Sequence, residues 1–283
     1  MFTESHVQVA EDPAVTLLVA ETAVPLSKTL LVIHGGPDWD HTYLREPVNQ
    51  LAGRHRVLLP DLRGCGRSTR GLPDDLYTWD AVVADLLTLL DAKDADRVDV
   101  LGFSTGGLIA QRLVLTAPER VRRLIIASSS VIPLPPDAFD GWLERTKRLK
   151  ETTVSLAPGL SEAEVNSAEA TAFAPINVWR QESLPDYLQR VSTIRFSGDW
   201  TRPWNAGTLP PVRVPDAERR LAELGVPMLL LHGRQDMTFP ANLAEQTAAR
   251  NPAARAVILD EAGHMAHIDQ PHHWVAALAR FLV

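Results

Sequence analysis

A single cysteine, Cys65, stands in 283 residues, so no internal disulfide is available. Positive charge is also short. There are 28 Lys and Arg against 35 Asp and Glu, a formal net charge of -7, and no basic tract of the kind nucleic acid requires. Spanning a bilayer takes about 18 consecutive apolar residues, and no run here comes near that. The opening MFTESHVQVAED lacks a basic stretch followed by an apolar core, so no secretory signal is read. Cys/His clusters at zinc spacing, GxGxxG and Walker-type loops are all missing. These absences favour a cytoplasmic protein with no metal or other cofactor, bound to neither nucleic acid nor membrane, and leave the oligomeric state open. What remains is a 45% hydrophobic chain, ordinary for a soluble protein and long enough for one large α/β domain or two small ones.

The chain is organised around Arg97–Gly107, RVDVLGFSTGG. A short apolar strand runs into Gly102-Phe103-Ser104-Thr105-Gly106 and then into a helix. G-x-S-x-G between strand and helix is the signature of a nucleophile elbow, a turn so tight that its serine is held in a strained conformation. Gly102 and Gly106 fit positions where a side chain would strike neighbouring backbone.

Around this centre the order of elements is regular. Residues 6–24 read as an antiparallel hairpin broken at Asp12-Pro13. Lys28–Ile33 and the HRVLLPD stretch are continuous apolar strands, with a helical piece around Leu44–Ala52 between them. Asp61–Ser68, DLRGCGRS, is a glycine-rich loop. Thr78–Ala92 shows helical spacing of Trp79, Val82, Val83, Leu86, Leu87 and Leu90, with Thr78 or Asp80 as cap. The elbow strand, its helix to about Ala117 and the strand Arg123–Ala127 follow. Strands resume at Val226–Leu231 and Ala256–Leu259, and a helix from about Pro271 to Val283 closes the chain. Alternation of strand and helix argues for a parallel sheet with right-handed crossovers. Between the sixth strand and the next, residues 132–215 contain ten prolines and four of the seven tryptophans, with no convincing strand. An aromatic-rich insertion there is read as a lid over the site. The domain division is therefore a core of 1–131 and 216–283 and a cap of 132–215.

A neutral serine needs a histidine to take its proton and an acid to orient that histidine. Ser104 is followed by Asp236, after the VPMLLL strand, and by His264, after the next strand, so all three fall at carboxyl ends of strands. His267 is the rival base, set aside because His264 directly follows Gly263 near its strand end. Asp260 and Glu261 lie too close to His264 in sequence to reach round to its ring easily. The plain alternatives are a loop aspartate that caps a turn and a serine in a turn without chemistry. An oxyanion needs two backbone N–H donors. Thr105, after the nucleophile, offers one; in His34-Gly35-Gly36-Pro37 proline has no N–H, which leaves Gly36 as the other. His34 itself reads as a turn-stabilising group, and Cys65 as a small buried filler.

Over essentially its whole length the sequence resembles the α/β-hydrolase superfamily. HGGP with DLRGCGRS resembles the proline iminopeptidase-like branch, which typically carries HGGPG, DQRGCGRS and GGSWG. The resemblance implies a mostly parallel central sheet flanked by helices, with a helical cap inserted after the sixth strand. It also implies Ser104 as nucleophile, Asp236 as acid, His264 as base, and Gly36 and Thr105 as oxyanion donors. Three departures stand out: Asp38 for the last glycine of HGGPG, Leu62 for glutamine, and Phe103-Ser104-Thr105 for Gly-Ser-Trp. Aminopeptidases of this branch hold the substrate ammonium with cap carboxylates. Glu182 and Asp199, each near a tryptophan, are the candidates here, against the plainer reading of each as solvated helix surface. The tryptophans, Trp200 and Trp204 among them, either pack the cap on the core or line an apolar substrate pocket. The expected activity is hydrolysis of an amide or peptide bond in an N-terminal aminoacyl substrate, a small molecule or short peptide. The alternatives are a carboxylic-ester hydrolase, including one for a natural-product ester, and a non-catalytic ligand-binding relative, which the intact Ser, Asp and His disfavour.

Overall fold

The computed structural model describes residues 2–22 and 28–283. Eight strands form one sheet: β1 (Phe2–Glu11), β2 (Ala14–Thr22), β3 (Thr29–Ile33), β4 (Arg56–Pro60), β5 (Val98–Phe103), β6 (Val121–Ala127), β7 (Met228–Gly233) and β8 (Ala254–Leu259). Their order is β1-β2-β4-β3-β5-β6-β7-β8. The pairings β1–β2 and β2–β4 are antiparallel and all the others are parallel.

The expected hairpin is present, but β1 starts at Phe2 rather than His6. Polar Thr3, Glu4 and Ser5 pair with Glu21, Ala20 and Val19. As an edge strand, β1 is mostly exposed and needs no apolar alternation there. Residues 23 and 24, the end of the hairpin reading, lie outside the described residues. The helix expected around Leu44–Ala52 shortens to Arg45–Asn49, preceded by a 3₁₀ turn at Thr42–Leu44.

β3 and β5 lie at the centre and are wholly buried. Along β3, Leu31 and Ile33 join the cluster that contains Val82, Leu86 and Leu90 of helix Trp79–Ala92, while Leu30 and Val32 join the opposite one with Leu44, Trp274 and Leu278. That two-sided burial explains the unbroken apolar runs. Thr78 caps its helix by accepting from Ala81 N–H at 3.1 Å. Between β6 and β7 there is no strand, only helices joined by loops, including Leu143–Glu151, Glu162–Ala172 and Leu184–Val191. This helical segment follows the sixth strand, and its Asn166, Glu169 and Trp204 stand around the same cleft as Ser104.

Candidate active site

After β5 the chain passes into helix Thr105–Thr116 with Ser104 alone between them. Ser104 adopts φ 54 and ψ -122, outside the ordinary regions for a residue with a side chain. A Cβ on Gly102 would lie 2.2 Å from the Gly106 carbonyl oxygen, and one on Gly106 would lie 2.2 Å from that of Ile33. Only glycine fits either place. The strain is held by sheet and helix: Ser104 N–H donates to Ala127 O at 2.9 Å, and Gly107 N–H donates to Ser104 O at 2.9 Å.

The loop after β7 brings Asp236 and the loop after β8 brings His264 to this point. His264 Nδ1 lies 3.0 Å from Asp236 Oδ2 and 3.2 Å from Oδ1. His264 Nε2 lies 3.1 Å from Ser104 Oγ. The carboxylate can only accept, so Nδ1 carries the hydrogen and Nε2 is free to accept from the serine hydroxyl. Asp236 is fully buried. Its Oδ1 also accepts the N–H groups of Thr238 at 2.8 Å and Phe239 at 2.9 Å. Burial opposes its ionisation, but the electrostatic pull of the His264 ring and the hydrogen bonds from the His232 and His264 ring N–H groups outweigh burial and hold its carboxyl well below the usual range. The acid is thus fixed as an anion beside the imidazole. His267, the rival base, is buried against Phe103 at 5.1 Å between ring centroids. Neither of its ring nitrogens has a hydrogen-bond partner among the described residues. Burial, with Arg190 and His264 nearby, keeps it neutral by lowering its pKa well below the usual value.

Gly36 lines the same cleft as Ser104 and His264. Among the described residues, the N–H groups of Gly36 and Thr105 have no hydrogen-bond partner. His34 is part of the loop's scaffold: its Nδ1 lies 2.7 Å from Gly35 O, and its Nε2 accepts from Leu62 N–H at 3.1 Å. DLRGCGRS lines no part of the cleft. Asp61 accepts from His41 Nδ1 at 2.5 Å and Arg67 N–H at 2.9 Å, and Arg63 forms a bidentate pair with Asp85 at 2.6 Å, so this stretch is structural. Cys65 is buried, and burial pushes its thiol pKa well up.

The cleft encloses about 390 Å³. Trp39, Tyr43, Phe103 and Met265 give it an apolar side, and Asn166, Glu169, Asn177 and Asn205 a polar one. Of the four cap residues singled out in the sequence, only Trp204 reaches it. Glu182 points to solvent and pairs with Arg180 at 2.6 Å. Asp199 is turned inward as a tether, its Oδ2 accepting from Gly71 N–H and Tyr77 OH, both at 2.8 Å, and its Oδ1 from Arg202 at 2.8 Å. Trp200 is buried and stacks on Trp79 at 4.5 Å. Neither acid is left free for a ligand, and neither lines the cleft. One acid that does line it is Glu169, on helix Glu162–Ala172, with no side-chain partner among the described residues. The sequence carries a faint signal for it: Asn166 and Glu169 are three apart and share a helix face. Asp38 also lines the cleft, but its carboxylate is taken up by hydrogen bonds to Ser197, Trp200 and Thr201.

Among known proteins, the chain is 27% identical over 267 residues to the proline iminopeptidase of Heyndrickxia coagulans, covering 89% of this chain and 90% of that one. It is 28% identical over 253 residues to the pimeloyl-[acyl-carrier protein] methyl ester esterase of Nitrosomonas europaea, covering 87% and 92%. The crystal structure of a proline iminopeptidase-related protein from Thermus thermophilus superposes with a TM-score of 0.74 at 26% identity, covering 100% of this chain and 97% of that one. A family model described as alpha/beta hydrolase fold matches residues 28–271. The chain belongs to the alpha/beta hydrolase fold family, among the relatives that resemble proline iminopeptidases.

Proposed function

We propose that the protein is a serine hydrolase that works through an acyl-enzyme on Ser104. The observation that carries this reading is the continuous chain from Ser104 Oγ through His264 to Asp236, at 3.1 and 3.0 Å, opening on the cleft. Ser104 Oγ attacks the substrate carbonyl as His264 Nε2 takes its proton, and Asp236 stabilises the imidazolium. The negative oxygen of the tetrahedral intermediate is received by the N–H groups of Gly36 and Thr105. On collapse, His264 gives its proton to the departing amine or alkoxide. Water, deprotonated in turn by His264, releases the acid and restores the serine.

For the substrate we infer an N-terminal aminoacyl amide or short peptide. Glu169 supports this, because it is an exposed carboxylate on the wall of the cleft with no side-chain partner among the described residues, placed where a substrate ammonium could meet it. Residues 132–215 then act as the cap that frames this pocket, in a cytoplasmic enzyme. The ester-hydrolase reading draws on the aromatic side of the cleft, Trp39, Tyr43, Phe103 and Trp204, which suits an apolar acyl or alcohol group. Parallel assays of aminoacyl p-nitroanilides, their N-acetylated forms and p-nitrophenyl esters separate the two. A higher kcat/KM for the free amine is expected; equal values with and without acetylation would remove the aminopeptidase reading and leave the esterase.

A further inference from the structure

The turn that carries Gly36 is held from several sides. Thr105, the residue after Ser104, donates its side-chain hydroxyl to the Gly36 carbonyl at 2.5 Å. One residue earlier, Gly35 N–H donates to the Tyr43 hydroxyl at 2.8 Å. Two residues later, Asp38 stands in the left-handed region at φ 68, a conformation that few residues besides glycine, asparagine and aspartate take readily. Its buried carboxylate accepts four hydrogen bonds from the cap: Ser197 Oγ at 2.6 Å, Trp200 N–H at 3.1 Å, Thr201 N–H at 2.8 Å and Thr201 Oγ1 at 2.7 Å. The Asp38 carbonyl accepts Ser197 N–H at 2.9 Å as well. The loop also abuts the nucleophile, since a Cβ on Gly35 would lie 3.0 Å from Ser104 Cβ.

We propose that the Thr105 hydroxyl and the Asp38 carboxylate form a paired brace that sets the Gly36 N–H opposite Ser104, Thr105 tying it to the elbow and Asp38 to the cap. The assignment rests on Ser104 being the nucleophile. Donors to an oxyanion act by being in place before charge develops. Thr105 offers its own N–H as one donor and fixes the carrier of the other through its hydroxyl, so one residue governs the spacing of both. Asp38 adds a link to segment 197–201, whose Thr201 lines the cleft. Seating of the cap and alignment of the donor are thereby coupled. Both residues are positioning residues, and both occupy places where the chain departs from HGGPG and GGSWG.

A fluorophosphonate probe tests this without a known substrate. The Ser104 oxygen bonds to phosphorus, fluoride leaves, the hydroxyl proton passes to His264, and the phosphoryl oxygen occupies the oxyanion position. The rate of labelling is followed by intact mass, with thermal unfolding as the control. Thr105→Val keeps the backbone N–H and side-chain shape but loses the hydroxyl, and should label about tenfold slower at an unchanged Tm. Thr105→Ser should recover to within about twofold, because the hydroxyl is what matters. Asp38→Asn tolerates the same backbone angle but turns an NH₂ group toward cap donors, and should also slow labelling. The double variant should be slowed less than the product of the two singles, since both act on one loop. Thr105→Val labelling at the wild-type rate, or Thr105→Ser as slow as Thr105→Val, would overturn the brace. If Thr105→Val does not fold, Asp38→Asn labelling at the wild-type rate does so instead. A wild-type protein that takes no label at all would count against the nucleophile, a separate failure.

Discussion

The two halves of the site are built in different ways. Ser104, Asp236 and His264 sit on short loops at the ends of β5, β7 and β8, and the sheet's own register brings them together. The cap is joined to the core by apolar packing and by buried carboxylates that reach from one segment to the backbone of another. Asp199 takes Gly71 N–H at 2.8 Å, and Asp269 takes Trp179 N–H at 2.7 Å and Gly263 N–H at 2.8 Å. The first construction follows from strand order, which apolar runs and turn residues announce. The second depends on which acid points inward, which sequence spacing does not announce. The sequence therefore announces how the sheet is assembled and leaves unannounced how the segment between β6 and β7 is attached.

The comparison can be broken first at the sheet. Ser104→Ala should lower kcat/KM by about a thousandfold or more with the fold intact, measured by ester hydrolysis alongside circular dichroism. Within the cap, Glu169→Gln should lower kcat/KM for an aminoacyl anilide by about tenfold or more, the worth of a hydrogen bond to a charged group, and leave a neutral ester unaffected. An equal loss on both substrates would mean that Glu169 shapes the cleft rather than binds an ammonium.

Asp199 and Glu169 should separate cleanly. Asp199→Asn should cost about 1–3 kcal/mol of stability in denaturant unfolding, because a tether is lost, and change substrate preference little. A changed preference at undiminished stability would return Asp199 to the substrate site. The smallest effect concerns His267. Its folded pKa lies below the unfolded value, so the unfolded state binds more protons as pH falls below about 6.5, and stability drops. His267→Phe, filling the same aromatic pocket, should raise stability by about 1 kcal/mol at pH 8 through removal of unpartnered polar atoms. The gain should be larger at pH 5.5; a gain that does not grow with acidity would show that His267 takes up its proton as readily in the folded protein as in the unfolded chain.

How much of this was legible depends on the interaction that fixes each residue. Gly102 and Gly106 were readable because close backbone approach leaves one residue type. The meeting of Ser104, His264 and Asp236 was readable because each follows a strand end in an order that topology sets. Trp200 is half readable: a large aromatic stands out in the cap sequence, but its stacking on Trp79 depends on contacts far apart in the chain. Asp38 showed only as a departure from a motif, and its function as a clamp emerges from the cap segment folded over it. RGCGRS, the most specific match to the branch, marks scaffold rather than chemistry. Its charges are spent on Glu4 and Asp85, away from the cleft. Motif specificity and chemical importance are separate properties.

A nucleophilic Ser104 must pass through a covalent intermediate. Mixing the protein with p-nitrophenyl acetate and quenching during the initial burst, followed by peptide mass spectrometry, tests it most directly. One released p-nitrophenolate per protein is expected in the burst, with a single acetyl group on the peptide containing Ser104, absent in Ser104→Ala. An acetyl group on another residue, or hydrolysis that persists at the wild-type rate in Ser104→Ala, would contradict it.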